Sequence, residues 1–321
     1  MAMSVDLHNL AAQIKALARR LGFDLAGIAA AHPSEYRDYW TSWLKDRRHG
    51  EMDYLPRRLN ERLNPSEYLP GARTVVCVAM SYYWPLEAAP SGARGRIARY
   101  ALGSDYHEVI KPKLYDIADW IREQVPGTRT RCGTDTAPIP EKELAQRAGI
   151  GWLGKNTCII HPQAGSWLLL GEVLTTLDLP TDKPAVDRCG TCTRCLDACP
   201  TSAIVAPYRL DATKCISYLT IESRKPPPPE LDTGTGDWVF GCDVCQEVCP
   251  YNSRPLQSLE PAFRPRWSSG TVDLGHWHSA TDAQLQEQVR GTALKRVKLP
   301  VLRRNVRRAI RNLNLEEGTC P

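Results

Sequence analysis

Residues 189–200 read CGTCTRCLDACP. The spacing is C-x2-C-x2-C-x3-C-P: three thiolates wrap one face of an iron–sulfur cubane, and the fourth, carried past a turn and followed by proline, points to a second one. A shorter run at 242–250, CDVCQEVCP, lacks one cysteine of that pattern. Cys215, isolated between the two runs, can supply it. The cross-over then gives Cys189, Cys192, Cys195 and Cys249 to one [4Fe–4S] cluster, and Cys199, Cys215, Cys242 and Cys245 to the other. Paired C-x2-C units also suit structural zinc, but zinc leaves the C-x3-C-P endings without a reason.

Outside this segment four further cysteines, Cys77, Cys132, Cys158 and Cys320, are scattered through a chain of 321 residues. The chain is long enough for about two domains. No apolar stretch approaches the roughly 20 residues of a membrane helix. The N-terminus lacks a signal-peptide pattern, and Arg19 and Arg20 have no long apolar run behind them. Cysteines in such a chain read as metal ligands rather than disulfides, and a cytoplasmic protein with no membrane contact is expected.

The flanking regions follow from hydrophobic period. Residues 6–21 carry Leu7, Leu10, Ile14, Leu17 and Leu21 on one helical face. DLAGIAA (24–30), RTVVCVAM (73–80) and the run SWLLLGEVLTTL (166–177) read as strands; 109–124 and EKELAQRAG (141–149) read as helices. Strands alternating with helices predict an α/β domain over 1–183. TDKPAVD at 181–187 reads as a linker, and KPPPPE at 225–230 as an irregular loop. The resulting architecture is an α/β (α+β) domain, an inserted bacterial-ferredoxin-like two-cluster domain over 184–256, and a basic helical C-terminus over 257–321. Two clusters side by side form a one-electron relay, and the large attached domain is expected to hold its terminus, a second cofactor or a substrate.

Charge is uneven. Residues 295–311, KRVKLPVLRRNVRRAIR, hold eight basic and no acidic side chains; without them 33 basic groups face 36 acidic ones. Such asymmetry suits a polyanionic partner. Arg303, Arg304, Arg307 and Arg308 are the candidate nucleic-acid contacts, against the alternative of a solvated helix face.

The segment DTAPIPEKELAQRAGIGWLGKNT (135–157) resembles the signature of the epoxyqueuosine reductases, and HGEMDYL (49–55), ERLNPSEYLPGARTVV (61–76), ARYALGSDYHEVIKPKL (98–114), CISYLT (215–220) and RNVRRAIRNL (304–313) agree with that family in order. The resemblance implies a cobalamin-binding α/β domain, with cobalamin bound base-off. It also implies a tRNA substrate and an unidentified low-potential electron donor, and a monomer is the default expectation. It implies that electrons pass singly to the cobalt, which opens the epoxide of the modified base, and that loss of water leaves the alkene of queuosine. Asp135 matches the family's proton donor. Arg62 and Ser217 match positions at the cobalamin, and Tyr106 and His107 match a segment near the substrate pocket. Lys155 and Asn156, beyond Gly149, Gly151 and Gly154, are expected to reach phosphate or corrin amides.

Each residue has a plainer reading. Asp-Thr-Ala-Pro is good turn chemistry, Arg62 suits a surface charge, and a lone His or Tyr is more often structural. A free aspartate, with a pKa of about 3.9, is ionised at pH 7, so an acid role requires burial or a negative neighbour to raise it. A corrinoid reductive dehalogenase and a non-catalytic electron-transfer or corrinoid-reactivating module are the competing functions. The first is disfavoured by the lack of an export signal, and the second by the Asp135 segment and the basic tail.

Overall fold

A computed structural model describes residues 6–313. Cys320 and the rest of the expected C-terminal region beyond 313 lie outside the described residues. Eleven strands form the sheets: β1 Leu25–Ala30, β2 Thr74–Ser81, β3 Arg94–Ile97, β4 Thr130–Gly133, β5 Trp152–Leu153, β6 Ile159–Ile160, β7 Leu168–Thr175, β8 Ile204–Ala206, β9 Arg209–Leu210, β10 Trp238–Phe240 and β11 Thr271–Asp273. Six helices matter below: α1 Leu7–Arg20, α2 Arg37–Lys45, α3 Tyr106–Gln124, α4 Glu141–Arg147, α5 Ile216–Ile221 and α6 Leu299–Asn312.

The main sheet runs β1-β2-β7-β4, and every pairing is antiparallel. All eight residues of β2 are buried, because helices cover both faces. Val76, Val78 and Met80 pack with Ile14 of α1 and Ile110, Leu114 and Ile117 of α3. Val75, Cys77 and Ala79, alternating with them as a period of two requires, pack with Leu144, Ala145 and Ile150 around α4. A strand covered on both faces shows a continuous apolar run, which is the usual mark of a parallel sheet. The helices and strands anticipated from the sequence are present, but the sheet joining them is not the parallel one that α/β alternation suggests.

α1 begins at Asp6, whose carboxylate accepts the N–H groups of His8 and Asn9 and satisfies two of the four orphan donors at a helix start. α3 is capped by Asp105 and begins at Tyr106, three residues ahead of the start at 109 read from the sequence, so that Tyr106 and His107 fall in its first turn. The tetraproline stretch is irregular only in part: Pro229–Asp232 forms a helical turn, with proline at the N-terminal position where its missing N–H costs nothing.

Two expectations about boundaries need correcting. The segment at 181–187 is strapped down rather than free. The Asp182 N–H donates to the Ile28 carbonyl, and its carboxylate accepts from the Ile28 N–H at 2.8 Å and from Lys15 Nζ at 2.7 Å. Position 257 is no core boundary either. Leu274, Trp277, Leu285, Leu302, Val306 and Ile310 share one buried cluster with Leu10 and Ile14. A second sheet, β10-β3-β11, draws one strand from each of the three anticipated regions; β10 lies parallel to β3 and β11 antiparallel to it. Among the described residues no helix is long and apolar enough to cross a membrane.

Candidate active site

The eight motif cysteines divide between two cavities. Cys189, Cys192, Cys195 and Cys249 line one of about 250 Å³. Cys199, Cys215, Cys242 and Cys245 line another of about 360 Å³. Burial pushes the Cys195 thiol up to about 11, with the charges of Cys189, Cys249 and Cys192 adding to the rise. Burial likewise raises Cys215 and Cys242, and each of these sulfurs feels another member of its own set. Four sulfurs crowded in this way ask for cations, and metal binding deprotonates a thiol outright. Among the described residues no three His, Cys, Asp or Glu side chains converge as the ligands of a single ion. A cubane, which gives each thiolate its own iron, takes a wider spread. The donor sets therefore fit two [4Fe–4S] clusters.

A tight hairpin of the α/β body, β5–β6, reaches both cysteine sets. Its glycines are dictated by close approach: a Cβ on Gly151 would lie 2.5 Å from the Ile160 carbonyl oxygen, and one on Gly154 would collide with the Ile160 side chain. At its tip Lys155 is buried and donates to the carbonyls of Gly190 (2.6 Å) and Cys192 (3.0 Å). Asn156 donates to the carbonyl of Cys245 at 3.2 Å. Both side chains thus hold the cysteine loops, which corrects the expectation that they reach phosphate or corrin amides. The same hairpin brings Cys158 into the second cavity beside Cys245. Sequence reading left Cys158 among the scattered cysteines, since no spacing rule connects it to the motifs.

The second cysteine cavity meets a larger one of about 770 Å³ at Asp135, Glu141, Lys142, Thr157 and Leu210. The larger cavity is walled by Tyr36, Tyr39, Trp40 and Trp43 on and beside α2, with Tyr54 and Arg62. The spacing i, i+3, i+4, i+7 puts those four rings on one helical face, a signal the sequence carried. Among the described residues the Arg62 Nε is buried without a partner. Ser217 lies instead at the second cysteine cavity, where it hydrogen-bonds the Cys215 sulfur.

Asp135 stands where the two cavities join. Its φ of 49° is left-handed, a region that aspartate tolerates better than most residues. Its N–H donates to Glu141 Oε2 at 3.0 Å, and Thr134 before it donates to the Leu170 carbonyl at 2.7 Å. His107 Nε2 lies 3.3 Å from Asp135 Oδ2, a charge contact whose N–H is off line for a hydrogen bond. His107 Nδ1 lies 2.8 Å from Asp105 Oδ1, and Lys295 lies 3.0 Å from the other Asp105 oxygen. The Tyr106 ring stacks on His107 with centroids 4.2 Å apart, and Tyr106 lines the same cavity as Asp135.

These neighbours decide the protonation states. Burial raises the Asp135 carboxyl, but His107, the Tyr106 hydroxyl and the Arg296 charge outweigh it and hold the group below its ordinary value. The acid role anticipated from sequence required the opposite shift. Burial lowers His107, and the carboxylates of Asp135 and Asp105 more than reverse this, so the imidazole holds its proton above the usual pH. Glu141 is pushed up to about 7 by burial and by the Asp135 charge. Below it on β7, Glu172 is wholly buried with both carboxylate oxygens unpartnered, and burial raises it well above the carboxylate range. Protons therefore sit on the residues around Asp135 rather than on Asp135.

α6 departs most from expectation. Arg308 is fully buried and donates to the Trp238 carbonyl at 2.6 Å. Arg304 donates to the carbonyls of Leu219 (2.7 Å) and Ser223 (3.0 Å), and to that of Lys225. Arg303 pairs with Asp282 at 2.6 Å and donates to the Ala280 carbonyl. Of the four candidate nucleic-acid contacts, only Arg307 is exposed on the surface. The other three pin the helix to the cysteine-rich segment and its neighbours.

Comparison with known proteins identifies the family. A family model for a 4Fe-4S double cluster binding domain matches residues 188–252, and one for epoxyqueuosine reductase QueG (DUF1730) matches residues 62–136. An epoxyqueuosine reductase from Gloeobacter violaceus is 44% identical over 94% of this chain and 95% of its own. Another, from Xanthomonas campestris pv. campestris, is 38% identical over 98% of this chain and 88% of its own. A crystal structure of epoxyqueuosine reductase with an epoxyqueuosine-modified tRNA-Tyr stem loop superimposes with a TM-score of 0.88 at 30% identity, covering 97% of this chain and 83% of that one. With one model on the cysteine cavities, the other ending one residue past Asp135, and whole-length relatives of a single kind, the chain belongs to the epoxyqueuosine reductases.

Proposed function

We propose that this chain reduces the epoxide of epoxyqueuosine in tRNA to the alkene of queuosine, consuming two electrons and two protons and releasing the epoxide oxygen as water. The observation that carries the reading is the position of Asp135, at the junction of a four-cysteine cavity and a large aromatic one. Cys189, Cys192, Cys195 and Cys249 hold one [4Fe–4S] cluster, and Cys199, Cys215, Cys242 and Cys245 the other. The segment 184–256 is the electron-delivering unit. Thiolate ligands of this kind suit a reducing compartment, which supports a cytoplasmic enzyme.

The large cavity fits a corrin. Its rings supply apolar contact area, and the Arg62 Nε, unpartnered among the described residues, is a donor that would take an amide or other acceptor. Bound there, cobalamin supplies a strongly reducing cobalt centre suited to opening an epoxide. The protein's own part is to seat the modified base against Asp135 and to deliver protons. Asp135 is the group that meets the leaving oxygen, and His107, 3.3 Å behind it, is the group that keeps it supplied. The tRNA is engaged as a single-stranded loop whose base swings into the pocket, with Arg307 contacting phosphate.

The direct test is mass analysis of tRNA nucleosides after incubation with reconstituted protein, cobalamin and a low-potential reductant. Queuosine accumulates at the expense of its epoxide; an unchanged epoxide peak refutes the reading.

The proton supply makes a pH prediction. His107 is raised in the folded protein, so its ion pair with Asp135 is complete below the ordinary histidine value and is lost as pH rises through the raised one. Asp135 is lowered, so the pair survives acidification until its depressed value is reached. kcat should therefore fall on an alkaline limb above the ordinary histidine range. His107→Gln should erase that limb and lower the plateau about 100-fold. A pH–kcat profile on a modified stem loop checks both, and an unmoved limb excludes His107.

The arginines make another. Arg307→Gln should reduce the slope of log affinity for tRNA against log salt by about one. Arg304→Ala should leave that slope alone and cost about 1–3 kcal/mol of stability, because it strips partners from buried carbonyls. Binding at several salt concentrations, with a melting curve for each variant, separates the two roles.

A further inference from the structure

The β5–β6 hairpin belongs to the α/β body, yet two of its side chains act on one cysteine set alone. Trp152 is 1% exposed, and its indole N–H points at the Cys189 sulfur from 3.4 Å. Lys155 lines the cavity of Cys189, Cys192, Cys195 and Cys249 and is anchored there by the carbonyls of Gly190 and Cys192. Among the described residues the side chains lining that cavity include three cations and no carboxylate; Asp187 accepts the Cys189 N–H at 2.7 Å from outside the lining. The cavity of the other set is lined by Asp135, Glu141 and Asp243, with Lys142 as its cation. Backbone N–H groups reach sulfurs of both sets, Ala203 to Cys199 and Tyr251 to Cys249, and the second set has hydroxyls beside it as well, Ser217 at Cys215 and Thr201 at Cys199. What separates the two sets is the charge of the lining side chains and the buried indole at Cys189.

Reducing a cluster adds one negative charge to its iron–sulfur core. A hydrogen bond to a ligand sulfur and a nearby cation stabilise the reduced form more than the oxidised form, and both raise the potential. Neighbouring carboxylates act in the opposite direction. We propose that Trp152 and Lys155 are positioning residues that set the order of reduction: they make the cluster on Cys189, Cys192, Cys195 and Cys249 the more easily reduced of the two. An electron from an external low-potential carrier then rests on that cluster, and its onward transfer to the second, beside Asp135, runs uphill and proceeds as the acceptor beyond consumes it. The inference rests on the two-cluster reading above. It adds an order of reduction to the relay and assigns it to two residues outside the cysteine segment.

The test is a redox titration of the reconstituted holoprotein followed by electron paramagnetic resonance, after iron and sulfide have been measured. Wild-type protein without about eight irons per chain overturns the two-cluster reading itself. With iron complete, wild type should show two one-electron waves. Trp152→Phe keeps the aromatic edge packed on Tyr251 and removes the N–H. It should lower the upper wave by about tenfold in the ratio of reduced to oxidised cluster at fixed potential, about 59 mV for one electron, and leave the lower wave in place. Lys155→Met should move the same wave in the same direction. A fully loaded Trp152→Phe protein with both waves unmoved, or with the lower one moved, overturns the proposal. That variant decides the matter by itself if Lys155→Met does not retain iron.

Discussion

Replacing Cys215 by alanine should halve the iron of the reconstituted protein, from about eight atoms per chain to about four, and abolish turnover. Cys215 sits at the N-cap of α5, where Ser217 and Tyr218 N–H groups address its sulfur, and it faces Cys199, Cys242 and Cys245 across one cavity. No other motif cysteine lines that cavity, so the cubane loses a ligand and the path to Asp135 loses its last station. Cys158 makes the experiment discriminating, because it lines the same cavity without belonging to either motif. Cys158→Ala should keep its iron in full. If Cys215→Ala keeps about eight irons and Cys158→Ala falls to about four, the ligand set is wrong by one residue and the cross-over rule has been applied to the wrong sulfur.

Asp135→Asn should lower kcat by about 100- to 10,000-fold, the range for removing a positioned acid–base group, with iron content unchanged and KM little affected. Asparagine is chosen because it preserves the loop. It tolerates the left-handed backbone of this position, and its N–H still donates to Glu141. What disappears is the site that exchanges a proton with the leaving oxygen and the negative charge facing His107. Since His107 is held protonated partly by that charge, the alkaline limb should also move to lower pH in this variant. Single-turnover nucleoside analysis measures the first effect and a pH series the second. Undiminished turnover would remove Asp135 from the chemistry and leave the family assignment untouched.

The two cysteine sets were legible because iron–sulfur ligation imposes spacing, and spacing survives in a one-dimensional string. The strands around Val76 and Val173 were legible because burial on both faces leaves an unbroken apolar run. Their antiparallel order was not, since a run of that kind reports burial and says nothing of direction. Arg304 and Arg308 read as phosphate ligands for a related reason: an arginine whose partners are main-chain carbonyls leaves no acidic residue in the sequence to betray the pairing. Lys155 stands out in the sequence beyond three glycines, but its partner does not, because its acceptors lie about 35 residues on, across a fold that local pattern does not describe. Asp135 was identified by resemblance, but its ionisation was not, as that depends on Tyr106, His107 and Arg296 converging from other elements.

The sheet β10-β3-β11 has a consequence for biosynthesis. β3 is complete by Ile97, and its first partner begins at Trp238, so at translation rates of about 5–20 residues per second the nascent chain carries an unmatched strand edge for roughly 7–30 s. Everything that supplies iron ligands, apart from the last cysteine run, is made during that interval. Metal loading and closure of the sheet are therefore late and nearly simultaneous events on or just off the ribosome, and iron starvation should leave a population stalled with an open edge, the state in which such proteins aggregate or are degraded.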